Sequence, residues 1–253
     1  MENHFHKTEV HNINGVNVEI FDAKPGADAL AQFLKPKILE VYNQFYHTPE
    51  DPLARAGLPR IQRLLTSTLP TTHSLKKGEF GEILATLFAE HIKTRVVPIY
   101  KHSHKTARNM AVHGMDCIAF TIEQQENENL LKIFFYEVKT TESCEPYPTV
   151  CYQIRNAFRK IDEELFDGEI AFIWRQLNDK RDLSDLEQVL VELLAISTFD
   201  QTDFLLCPFL VVEANNFQKT FTVPFCSESY IKPIEPLIVR ITNLNDAYSN
   251  SMN

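Results

Sequence analysis

A chain of 253 residues, 44% hydrophobic and 23% charged, can bury one substantial core, or one core with a small appended lobe, and this ordinary composition excludes a disordered or fibrous protein. No stretch approaches the roughly 18 uninterrupted apolar residues that a membrane helix needs, and the polar N-terminus lacks the apolar centre of a signal peptide, so a cytoplasmic protein is expected. The net charge of −9 excludes a protein that coats nucleic acid indiscriminately, because such binding depends on many Lys and Arg contacts to phosphate.

The chain opens with two alternating segments, Thr8 to Ile13 and Val16 to Phe21, joined by Asn14-Gly15, a pair that tolerates the positive φ of a type I′ turn; a β-hairpin is expected. Leu30, Phe33, Leu34, Ile38, Val41, Tyr42 and Phe45 then recur at helical spacing around Pro36, which predicts two short helices or one kinked helix. Pro49, Pro52, Gly57 and Pro59 mark a connector, with a helical turn over Ile61 to Leu65. From Lys77 to Ile92 a stronger helix places Phe80, Ile83, Leu84, Leu87 and Phe88 on one stripe, with Glu79 and Glu82 on the neighbouring face. Val96 to Tyr100 reads as a strand. Asp116 to Ile122 and Leu131 to Lys139 read as two more, paired as a hairpin around a polar loop. Helical spacing returns over Val150 to Phe166 and Leu186 to Leu194, and Phe204 to Val212 and Leu237 to Ile241 read as buried strands. The organisation expected is an N-terminal hairpin and helical extension over residues 1–70, then a catalytic domain with a C-terminal extension over residues 71–253.

Charge is unevenly spread. Between Glu90 and Asp116 there is no acid, whereas Lys93, Arg95, Lys101, Lys105 and Arg108 occur with His91, His102, His104 and His113, which predicts a positive surface beside Asp116. From Asp162 to Glu192 acids dominate, which sets that region apart from any DNA-facing surface. The five cysteines, Cys117, Cys144, Cys151, Cys207 and Cys226, form no Cys-x-x-Cys pair and read as reduced thiols.

The chemistry points to the second hairpin. If its strands close symmetrically about the loop between Asn127 and Glu128, Asp116 lies opposite Lys139, and Glu137 shares that face because side chains alternate with period two. Two carboxylates and an ammonium then converge at the end of an apolar strand, where charges are costly without a purpose. Such a group suits Mg²⁺, with Mn²⁺ as substitute, held by Asp116, Glu137 and the Val138 carbonyl. Lys139 would orient or deprotonate a water, and Glu82 could hold a second metal or that water. The plain alternative is a solvated Glu-x-Lys charge pair.

Gly81-Glu82-Ile83-Leu84-Ala85, Gly114-Met115-Asp116 and Glu137-Val138-Lys139, in that order, resemble the motifs of the PD-(D/E)xK nucleases, and Gln153 is similar to a Gln that some branches carry. The resemblance implies a mixed α/β core of helix, strand, hairpin, helix and strand. More narrowly, Lys77 to Glu82, His113 to Asp116 and Tyr136 to Lys139 resemble the HamA family, the nuclease subunits of Hachiman anti-phage systems. That resemblance implies a DNA nuclease with little sequence preference and a HamB-like helicase partner that holds it in check.

Two other classes stay open: a non-enzymatic partner-binding subunit that keeps the nuclease fold, and a restriction-type endonuclease cutting a defined site. His102, His104 and His113 could instead form a transition-metal site or a basic loop. Arg155, Arg159 and Lys160 could contact phosphate or simply face solvent, and Trp174 reads as core. The sequence leaves open DNA against RNA, one metal against two, and Glu79 against Glu82.

Overall fold

The computed structural model describes all residues except 14, 25, 44–68, 105–113, 126–127, 143–146, 181, 201, 218–232 and 253. The connector and helical turn expected within residues 49–65 lie outside the described residues.

The N-terminal hairpin forms as expected from β1 (Phe5–Ile13) and β2 (Val16–Ala23), with Gly15 at φ +85°, a conformation that a residue with a Cβ rarely adopts. The following helix α1 (Ala27–Asn43) runs unbroken through Pro36. Pro36 sits on its exposed face, where a carbonyl left without a donor can meet water, while Leu30, Leu34, Ile38 and Val41 are buried on the other. Helix α2 (His73–His91) buries Phe80, Ile83, Leu84, Leu87 and Phe88, as its stripe predicts.

Val96 to Tyr100 forms no strand. Pro98 cannot donate to a ladder, and the segment makes a single bridge from Val96 to Phe120 before a 3₁₀ turn at Lys101–His104. The second hairpin is β3 (Cys117–Gln125) and β4 (Glu128–Thr141), longer at its tip than expected. The single helical run expected over Val150 to Phe166 is two helices, α3 (Tyr147–Arg159) and α4 (Glu163–Asn178), because Asp162 caps the second by accepting from the Leu165 amide at 3.0 Å. Helix α5 (Asp185–Ile196) starts on a Ser184–Glu187 capping box. Strands β5 (Asp203–Glu213) and β6 (Leu237–Ile241) fall where expected, and α6 (Leu244–Ser251) ends the described fold. No helix among the described residues is long and apolar enough to cross a membrane.

The six strands form one mixed sheet in the order β1-β2-β6-β5-β4-β3. Its two ends are antiparallel hairpins, and β2-β6-β5-β4 run parallel. The sheet crosses the expected boundary between residues 70 and 71, since β2 pairs directly with β6. Alternation along β4 divides the core. Phe134, Tyr136 and Val138 face α1, α2 and α6, while Ile133 and Phe135 face α3, α4 and α5. Trp174, read from sequence as core, stands partly exposed on α4.

Candidate active site

The hairpin register pairs Cys117 with Tyr136 and Gln125 with Glu128, two residues away from the expected register. A shift of two preserves the face of every side chain, so continuing the register past Cys117 brings Asp116 abreast of Glu137 rather than Lys139. Asp116 has left the strand and turned back onto it: its Oδ2 accepts from the Val138 amide at 2.8 Å. Glu137 and Lys139 form an ion pair at 2.6 Å, with Glu137 the more enclosed of the two. Burial pushes the Glu137 carboxyl above its ordinary range, the charge of Asp116 pushes it further, and Lys139 offsets this only in part.

Helix α2 brings the third acid. Gly81 is what allows its approach to β4: a Cβ there would fall 2.0 Å from Thr140 Oγ1 and 3.1 Å from Val138 Cγ1. The next residue, Glu82, thereby reaches the end of the hairpin. Glu79 does not. It is buried one turn back, where the Tyr42 hydroxyl of α1 donates to it. Of the two, Glu82 is the one that shares a cation, Lys101, with Asp116.

Between Glu82 and Asp116 lies the Lys101 ammonium, 3.1 Å from Glu82 Oε2 and 2.9 Å from Asp116 Oδ1. Burial works against its charge, but the two carboxylates outweigh this and hold its pKa above the ordinary lysine value. Glu82 responds in kind. Burial pushes it up, yet His102 and Lys101 beside it hold it down at about 2. His102 is buried with Nε2 3.3 Å from Glu82 and Nδ1 3.9 Å from Glu79, in neither case aligned as a hydrogen bond.

The described cations of the positive surface expected over Lys93 to Arg108 are instead met by acids. Lys93 pairs with Glu19 and Glu235, Arg95 is buried against Glu235 and Tyr136, and Lys101 is enclosed by the acids. Lys105, Arg108 and His113 lie outside the described residues. Among the described residues no group of three His, Cys, Asp or Glu side chains closes on one point.

Sequence reasoning missed two contributors. Lys101 was visible only as one base in an acid-free run. Glu169, far along the chain on α4, accepts from the Met115 amide at 3.1 Å and packs against Gly114, whose φ of +104° needs glycine; a Cβ there would stand 3.0 Å from Glu169 Oε1. That contact fixes the turn into Asp116. Glu169, Glu164 and Asp162 also wall a cleft of about 570 Å³ beside Lys101, floored by Ile99, Met115 and Ile118. The acidic region is thus next to the site, and its charge makes this cleft the wrong approach for a polyanion. Gln153 is exposed on α3, and Arg155 stacks on Tyr152.

A mixed sheet covered by helices on both faces, with three acids and two lysines gathered where its hairpin meets α2, defines an α/β protein consistent with a nuclease-like core. The chain belongs to the HamA family, whose model matches residues 1–238. That membership points to a role in anti-phage defence. No curated protein matches the chain.

Proposed function

We propose that the protein is a metal-dependent DNA nuclease of PD-(D/E)xK type, the effector of a Hachiman defence complex in which a HamB-like helicase holds it in check. The observation that carries this reading is the convergence of Asp116, Glu137 and Lys139 at the end of the hairpin, with Glu82 and Lys101 beside them.

The donor set fits Mg²⁺. Carboxylate oxygens are the ligands this ion prefers, it binds through one or two of them while keeping waters, and the pair Glu82 and Asp116 already encloses a cation, the Lys101 ammonium. Asp116 and Glu137 would hold the ion, with the Val138 carbonyl as a further ligand. Once bound, it supplies an acidified water and draws charge from the phosphate.

The protein's own groups do the rest. The Val138 amide fixes Asp116 Oδ2, so this carboxylate is oriented before any ligand arrives. Lys139 is the most exposed charge of the cluster, and from Glu137 it can swing to a phosphate oxygen and offset the charge that develops there. Glu82 keeps Lys101 protonated and in place.

The test is digestion of end-labelled linear DNA of mixed sequence with Mg²⁺, by wild type and by Asp116→Asn. A continuous ladder from wild type and none from the variant supports the reading. Discrete bands would favour a site-specific endonuclease, and an inert wild type, with or without a co-expressed helicase, would favour the partner-binding subunit.

A further inference from the structure

The acids at this site are divided between two cations that the chain already carries. Lys139 takes Glu137, and Lys101 takes both Glu82 and Asp116. Resting on the metal-dependent reading above, we propose that the site is built for a single divalent ion and that the Lys101 ammonium is its second cation, standing where a two-metal site would place another ion.

Three observations carry this. The first is position. Glu82 of α2 and Asp116 at the end of the hairpin are the acids that would hold a second ion, and Lys101 Nζ already joins them, with only 13% of its side chain exposed. The second is construction. Lys101 opens a 3₁₀ turn tied down by Ser103, whose amide and hydroxyl both donate to the Tyr100 carbonyl, at 3.0 and 2.5 Å. The following residue, His102, is buried between Glu79 and Glu82 with the Tyr42 ring against it. A freely moving surface lysine has no such anchorage.

The third is charge. With His102 neutral and the acids ionised, Glu82, Asp116 and Glu137 against Lys101 and Lys139 leave one net negative charge. One divalent ion turns this into one net positive charge, the complement of a single phosphodiester. A second would triple that excess and face an ammonium across hydrogen-bonding distance. Glu82 is also already engaged by His102 and Lys101. Lys101 here positions Asp116 and neutralises Glu82, and it does so without leaving when product leaves.

The experiment counts Mn²⁺ ions bound by the full chain, from the loss of the free-ion electron paramagnetic signal on titration. Wild type is expected to bind one. Lys101→Met keeps the apolar stem and removes the ammonium, and is expected to bind two; adding Glu82→Gln should return it to one. Wild type binding two overturns the proposal without reference to any variant. One ion in both wild type and Lys101→Met also overturns it while leaving the metal-dependent reading intact. No binding by either protein removes both.

Discussion

Gly81→Ala tests the contact that delivers Glu82. In most exposed helix interiors this change gains about 1 kcal/mol of helix propensity. Here the new methyl would stand 2.0 Å from Thr140 Oγ1, more than 1 Å inside ordinary contact, with Val138 Cγ1 also close at 3.1 Å. Thr140 cannot yield cheaply, since rotating its β-branched χ1 replaces the hydroxyl with a methyl. Overpacking of this kind costs about 1–3 kcal/mol, and so severe an overlap belongs at the upper end, leaving a net loss of about 2 kcal/mol. For a chain of this size that lowers Tm by about 4–8 °C. Thr140→Ala should restore at least half of the loss in the double variant. Its hydroxyl is buried without a hydrogen-bond partner, so removing it alone costs little. Thermal unfolding of wild type, both single variants and the double variant closes the cycle. A Gly81→Ala protein that melts at or above wild type, or a double variant no better than the single, would refute the claim that this glycine sets the distance between α2 and β4.

Tyr42→Phe removes the α1 donor from the buried Glu79 carboxylate and should cost about 1–3 kcal/mol in urea unfolding; an unchanged midpoint would show that Glu79 does not depend on α1. On the far side of the sheet, Arg240 bonds to Asp22 through two nitrogens at 2.5 and 2.7 Å and holds its carboxyl below the ordinary value of 3.8. A depressed carboxylate stabilises fully above its unfolded pKa and loses that contribution as pH falls toward the folded value. Asp22→Asn should therefore destabilise at neutral pH, with the gap from wild type closing below about pH 4; a gap that widens on acidification would reverse the assignment. Cys117 is buried, which pushes its thiol up to about 12, so a thiol reagent should label it only on unfolding. Rapid labelling of native Cys117 would contradict its enclosure.

Local signals made much of this fold legible. The Asn14-Gly15 turn, the apolar stripe of α2 and the continuous apolar run of β4 each announce themselves within a few residues, and the faces assigned along the second hairpin survived a two-residue error in register because parity, not register, determines them. Pro98 was a legible warning against a strand over Val96 to Tyr100, outweighed by the β-branched residues around it. The placement of the first hairpin beside β6 was not legible, since a parallel pairing of segments from opposite ends of the chain leaves no local pattern. Lys101 was hidden for a related reason. Its role comes from a 3₁₀ turn that folds a base back among acids, and sequence alone reads such a run of bases as a positive surface. Glu169 likewise meets Gly114 and Met115 only because α4 crosses the end of the hairpin.

The central claim is that Asp116, Glu137 and Lys139 hydrolyse DNA with a divalent ion. Its most direct test is a time course of supercoiled plasmid cleavage with Mg²⁺, comparing wild type with Glu137→Ala/Lys139→Ala, each with an EDTA control and with a HamB-like helicase, the proposed partner, co-expressed. Nicking and degradation by wild type, abolished both by the double substitution and by EDTA, is the result predicted. Cleavage that persists in the double variant or in EDTA would contradict the assignment.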